Sequence, residues 1–205
     1  ERVPVGEVVA VYDLGGGTFD AAVLRKTEAG FEMLGPPEGI ERLGGVDVDE
    51  AVYRHVRSLL GPTLDALDED DPAVARAVAR LRDDCVEAKE ALSSDTQVSV
   101  PVLLPNLNTE VRLTRSELEG MVRPVLEDSV AALRRAIVGA ELTPDRVDRV
   151  LLVGGSSRMP LVAQMVTEAL GRPFFVDAHP KHAVALGAAL TAAGATTTTT
   201  ASVPV

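Results

Sequence analysis

The sequence has no tryptophan, two tyrosines, four phenylalanines and a single cysteine, Cys85. One cysteine cannot close a bridge within the chain, which excludes a disulfide scaffold and points to a reducing compartment. No apolar run approaches the roughly 18 residues a membrane-spanning helix requires. The opening ERVPVGEVV has neither a basic segment nor an apolar core of the secretory type, so a cytoplasmic location is expected. Basic clusters are also missing. Twenty Lys+Arg, only three of them lysine, face 31 Asp+Glu for a net charge of -11, which argues against a nucleic-acid polymer as partner. Several motifs are absent too. There is no G-x-x-x-x-G-K-[ST] loop and no serine or cysteine nucleophile pattern. His55, His179 and His182 do not stand at metal-site spacing, and Cys85 falls inside a helical pattern as a buried structural thiol. What is present is 205 residues, 46% of them hydrophobic, enough for one large or two small α/β units.

Along the chain, Val8 to Tyr12 and Thr18 to Leu24 read as strands flanking Asp13-Leu14-Gly15-Gly16-Gly17, with a third strand at Phe31 to Leu34. Three strands joined by tight turns predict an antiparallel meander. Val46 to Leu60 has helical spacing and stops at Gly61-Pro62. Asp71-Pro72 caps a long helix reaching about Ser94. Gln97 to Leu104 and Thr109 to Leu113 are β-like, joined at Pro105 to Asn108. Thr114-x-x-Glu117 is a capping box opening a helix through about Val138. The end alternates strand and helix: Val150 to Val153, Pro160 to Leu170, Phe174 to Val176, His182 to Ala193. The expectation is a mixed sheet from residues 1–45 and 124–195, a helix–helix–hairpin unit inserted at 46–123, and a Thr-rich linker over 196–205.

Two glycine clusters carry chemistry. In DLGGGTFD, Asp13 to Asp20, three consecutive glycines between strands let backbone N–H groups approach a ligand with no side chain in the way. Such a nest suits phosphate oxygens. Asp13 at the strand end can hold a metal ion through water, and the Thr18 hydroxyl can reach a terminal phosphate. The loop leads into a strand, not a helix, which excludes the dinucleotide fingerprint. In LLVGGSSRMP, Leu151 to Pro160, a strand runs into Gly154-Gly155 and a helix start. Ser156 and Ser157 read as caps there, with free N–H groups suited to an anion or a polar ring edge. Arg158 is aimed at the same place, where a guanidinium can stack on a planar base.

Taken together these segments resemble the second lobe of the ATPase domain of the 70-kDa heat-shock (DnaK-type) chaperones, over about Val8 to Ala193. The anchors are VYDLGGGTFD (11–20), LGGVDVD (43–49), AKEALSS (88–94), LVGGSSRMP (152–160) and AVALGAA (183–189), in the family's order. The resemblance implies an α/β, actin-like (ribonuclease H-like) ATPase fold with ATP or ADP and Mg²⁺ in a cleft between two lobes. It implies that Asp13 positions the metal's water shell and the attacking water. Gly15, Gly16, Gly17 and Thr18 would hold the β- and γ-phosphates, and Gly44 and Gly45 would approach from the next turn. Lys89 and Ser93, at i and i+4, would contact the ribose and adenosine. Gly154, Gly155, Ser156 and Arg158 would close the adenosine site. A nucleotide-exchange factor would grip the inserted unit.

The sequence departs from that family at named places. No second D-x-G-x-T pattern and no first-lobe loop are present, so the chain is expected to be one half of a larger cleft, without turnover of its own. Val86 stands where the family has an acid three residues before the lysine. Glu90 occupies a position that often stacks on the base, and Lys181 replaces an aspartate. Two other functions use the same features: a degenerate actin-like lobe serving mainly as a partner-binding module, and a kinase of the same superfold.

Overall fold

The computed structural model describes residues 3–61, 64, 66–68, 70–105, 107–176 and 183–196. The strands are β1 (Val8–Leu14), β2 (Phe19–Lys26), β3 (Phe31–Met33), β4 (Glu38–Ile40), β5 (Gln97–Leu104), β6 (Leu107–Thr114), β7 (Arg149–Val153) and β8 (Phe174–Val176). The helices are α1 (Gly45–Leu60), α2 (Pro72–Ala91), α3 (Arg115–Gly139), α4 (Pro160–Leu170) and α5 (Ala183–Thr196). One sheet runs β3-β2-β1-β7-β8, with β4 also paired to β2, and a separate hairpin joins β5 to β6.

The main sheet is mixed, as expected. β1 pairs antiparallel with β2 and parallel with β7, and β7 pairs parallel with β8. Its centre, β1, buries Ala10, Tyr12 and Leu14 on one face. Tyr12 packs its ring 4.6 Å from that of Phe19. Its hydroxyl meets Ser129 Oγ of α3 at 2.6 Å, and Ser129 in turn donates to the Leu126 carbonyl. A buried chain of hydrogen bonds therefore ties the central strand to the helix packed on it. α3 crosses β1, β2 and β4 and also meets α4, while α1 packs on α2 and α2 on β5. The buried apolar side chains of both sheets form one continuous cluster.

Helix boundaries follow local chemistry. Asp71 Oδ1 accepts from the Ala73 amide ahead of Pro72. Thr114 and Glu117 exchange the two bonds of a capping box. α4 starts on Pro160 and stops at Gly171, which takes the left-handed conformation at φ 62°. Three details differ from the sequence reading. α2 ends at Ala91, so Ser94 lies past it. β6 starts at Leu107, opposite Leu104, because the two strands keep pairing to the turn. The short strand β4 follows the Pro36-Pro37 pair and pairs with the start of β2. Its three residues are too short for a period-2 pattern to stand out.

Cys85 is buried, and burial pushes its thiol up to about 11. No helix among the described residues is long and apolar enough to cross a membrane. Lys181, His179, His182 and residues 197–205 lie outside the described residues; Thr196 is the last residue of α5.

Candidate functional site

The site is assembled on the open end of the β1–β2 hairpin. Leu14 pairs with Phe19, and Gly15 N donates to the Thr18 carbonyl at 3.0 Å, closing the loop between them. The carbonyl of Gly15 accepts from Gly45 N at 3.0 Å, and that of Gly16 from Val46 N at 2.8 Å. The first two amides of α1 thus point into the loop's carbonyls. The amides of Gly16, Gly17 and Thr18 are left with no acceptor among the described residues. Backbone donors on an exposed glycine loop can serve an anion.

Gly44 explains why the approach is so close. Its backbone is extended, but a Cβ there would fall on the Gly17 amide nitrogen and 2.6 Å from the Gly16 carbonyl carbon. Gly17 and Gly44 therefore press on each other behind the loop, and neither lines the adjoining cavity. Asp47 Oδ2 holds the Gly44 amide at 2.9 Å.

Asp13, one residue before the end of β1, lies on the face opposite Tyr12, half-buried and paired across the strands with Asp20. Burial, and secondarily the Asp20 charge, raise its carboxyl above the ordinary aspartate range. Beside it, β7 delivers Gly154 at φ 84°, where a Cβ would lie 2.7 Å from Asp13 Oδ1 and collide with the Leu14 carbonyl. Only glycine meets both demands.

Residues Gly155–Arg158 form a 3₁₀ turn. Ser156 and Ser157 do not cap the following helix, contrary to the sequence reading. α4 begins two residues later on Pro160, and the serines turn back: Ser156 Oγ donates to the Gly15 carbonyl at 2.9 Å, Ser157 Oγ to the Gly154 carbonyl at 2.7 Å. Their hydroxyls fasten one glycine cluster to the other.

α2 supplies the far wall. Lys89 and Ser93 both face the cavity, although Ser93 sits in the turn after the helix, where its amide donates to the Glu90 carbonyl. Lys89 Nζ lies 2.6 Å from Asp49 Oδ1 of α1. Sequence reasoning assigned Asp49 no role. The available signal was its place four residues after Gly45, on the same face of α1.

The cleft has a volume of about 710 Å³. It brings together Asp13, Gly15, Gly16, Thr18, Gly45, Lys89, Ser93, Gly154, Gly155, Ser156 and Arg158, residues drawn from segments up to 145 positions apart. Val46, Asp49, Val86, Glu90 and Met159 complete its lining. No cluster of three metal-ligating side chains exists among the described residues.

A family profile described as Hsp70 protein matches residues 4–202. The chain belongs to the Hsp70 family. Among curated relatives, a chaperone protein HscA homolog of Variovorax paradoxus (strain S110) is 38% identical over 185 residues, 90% of this chain and 28% of the relative. The homolog of Methylibium petroleiphilum is 39% identical over 183 residues, 89% and 28% respectively. That of Acidithiobacillus ferrooxidans (strain ATCC 53993 / BNL-5-31) is 38% identical over 187 residues, 90% and 28%. The chain thus spans little more than a quarter of the length of these relatives. Its mixed sheet with packed helices is the actin-like ATPase fold of the Hsp70 family.

Proposed function

We propose that this chain is the nucleotide-binding half-cleft of an ATP-dependent, Hsp70-type chaperone. The observation that carries the reading is the pair of amides at Gly16 and Thr18, without a backbone acceptor among the described residues and on the wall of a cleft that also holds Asp13, Lys89 and Arg158. In this reading these amides and the Thr18 hydroxyl donate to phosphate oxygens. Lys89 and Ser93 face the sugar, and Arg158 lies along the base. Asp13 holds and orients a water for in-line attack on the terminal phosphorus, since phosphoryl transfer asks mainly for positioning and charge neutralisation.

Mg²⁺ suits this donor set. Asp13 and Asp20 are like charges facing each other across β1 and β2, and burial first, then the Asp20 charge, raise the Asp13 carboxyl above the ordinary range. A divalent cation nearby relieves both. Asp13 would hold it through a water molecule, and the ion would neutralise phosphate charge.

A second lobe completes the cleft. Helix α5 supports this, because its residues from 185 to 193 are exposed although the helix is almost wholly apolar, with Leu186 at 52% and Leu190 at 75%. An exposed apolar helix in a chain covering 28% of its relatives' length fits a contact with the remainder of the protein. The unit over 46–123 is the surface offered to a nucleotide-exchange partner.

The test is titration of ATP and ADP, with and without Mg²⁺, into this chain and into the full-length protein. Weak binding without turnover is expected for the chain, and tighter binding with hydrolysis for the full-length protein. A full-length protein that neither binds nor hydrolyses ATP would overturn the reading.

A further inference from the structure

Two carbonyls of the β1–β2 loop are turned towards the start of α1. Gly15 O accepts from Gly45 N at 3.0 Å and from Ser156 Oγ at 2.9 Å, and Gly16 O accepts from Val46 N at 2.8 Å. A trans peptide is planar, with its N–H directed opposite its C=O. Fixing the Gly15 carbonyl therefore fixes the direction of the Gly16 amide, and fixing the Gly16 carbonyl does the same for Gly17. The glycines themselves supply little restraint: a Cβ on Gly16 or Gly17 would meet nothing within 4 Å. Left alone, such a loop has the widest choice of backbone conformations, and its amides would point in many directions.

The first turn of α1 is itself locked. Asp47 Oδ2 accepts from the Gly44 amide at 2.9 Å, while the Gly44 carbonyl accepts from the amides of Asp47 and Val48 at 3.2 and 3.4 Å. Gly44 is also pressed on the loop, since a Cβ there would lie 2.6 Å from the Gly16 carbonyl carbon and collide with the Gly17 amide nitrogen. The next two amides, of Gly45 and Val46, stand at the helix start, where no intrahelical acceptor claims them. They are aimed at the loop carbonyls because Asp47 fixes the turn that precedes them. Asp47 itself does not line the cleft.

We infer that Asp47 and the Val46 amide are positioning groups for phosphate binding, through which the first turn of α1 aims the amide donors of the glycine loop. This rests on the nucleotide reading above and deepens it by naming what orients the phosphate donors. Asp47 acts through Gly44, and the Val46 amide acts through the peptide joining Gly16 to Gly17. What they support is the grip on phosphate alone. The nucleoside end of the cleft, with Lys89, Ser93 and Arg158, does not depend on them.

The test uses the full-length protein in two matched pairs, Val46→Pro against Val46→Ala and Asp47→Ala against Asp47→Asn. Thermal melts establish that each variant is folded. Proline removes the amide where a first helical turn accepts it, and Gly45, lacking a Cβ, eases the restriction on the residue before it. Val46 is exposed, so its alanine partner separates loss of the side chain from loss of the amide. Asp47→Asn keeps an acceptor oxygen for the Gly44 amide, and Asp47→Ala keeps none. Calorimetry with ATP, ADP and adenosine is the readout, because adenosine carries the nucleoside without the phosphates. ATP and ADP should bind about tenfold more weakly to Val46→Pro than to Val46→Ala, the worth of one donor to a charged group, with adenosine within about twofold. Asp47→Ala should show the same phosphate-specific loss, and Asp47→Asn should restore most of it. Folded variants that lose ATP and adenosine in equal measure, or whose ATP-to-adenosine ratios match those of their partners, overturn the assignment. The Asp47 pair alone decides if Val46→Pro does not fold. Wild-type protein that binds none of the three ligands would instead remove the nucleotide reading itself.

Discussion

Ser156 Oγ donates a 2.9 Å hydrogen bond to the carbonyl oxygen of Gly15, across 141 residues of sequence. The same carbonyl takes the first amide of α1, from Gly45. One oxygen therefore joins three segments: the β1–β2 loop, the start of α1 and the turn after β7. Ser156→Ala should cost about 1 kcal/mol of stability, the usual net worth of one such bond. It should also loosen the anion nest, so weaker ATP binding to the full-length protein with normal secondary structure is expected by calorimetry and circular dichroism.

Gly154 and Gly120 provide a contrast. Gly154→Ala forces a side chain into the left-handed region and onto the Leu14 carbonyl and Asp13 Oδ1. It should destabilise by about 2 kcal/mol or more and disturb Asp13 directly. Gly120 lies exposed in α3 with open space where its Cβ would go. Gly120→Ala should stabilise by about 0.5–1 kcal/mol. Denaturant melts of the two variants should move in opposite directions.

Asp13 combines a place on the cleft wall with an electrostatic cost. Its carboxyl titrates above the ordinary range in the folded chain, so over that interval the native state holds a proton the unfolded state has released. Stability consequently falls as pH rises from the ordinary aspartate value through the raised one, and the cost is complete above it. Asp13→Asn removes this cost and should raise the melting temperature of the nucleotide-free chain at neutral pH. The difference from wild type should shrink on acidification below the ordinary range. In the full-length protein the same change should lower ATP turnover by about 100-fold or more while largely sparing binding.

Tyr12 sets an alkaline limit. Burial pushes its hydroxyl up to about 12, against a smaller opposing effect of the bond with Ser129. The unfolded chain ionises this group near pH ~10, so stability should drop between about pH 10 and 12. Tyr12→Phe should cost about 1 kcal/mol at neutral pH through the lost bond to Ser129 Oγ. It should also flatten the part of that alkaline decline due to Tyr12, as read by urea melts across the pH range.

Much of the fold could be read along the chain because its signals are local. Asp71-Pro72, Thr114 with Glu117, and Pro160 each fix a helix start through groups within three residues, and all three starts appear where those residues stand. Ser156 and Ser157 show where such reading fails. Their hydroxyls have the chemistry of caps, but the Gly15 carbonyl in the β1–β2 loop and the Gly154 carbonyl one turn back offer better acceptor positions once β1 and β7 are paired. Ser93 fails by half: it reaches the cavity as expected, from a turn instead of a helix face.

The shortage of cysteine, aromatics and basic charge excluded whole classes of protein, and the order of the glycine motifs pointed to the family that the profile match shows. That information is carried by residue type and by spacing of a few positions, which local backbone preferences translate directly. Only the tertiary structure decided that Asp49 pairs with Lys89, that Gly44 must lie on Gly17, and that Gly154 has no room for a side chain. These depend on which strands and helices come to lie side by side. The parallel register that sets Asp13 beside Val153 is a contact between segments 140 residues apart, and no local pattern encodes it.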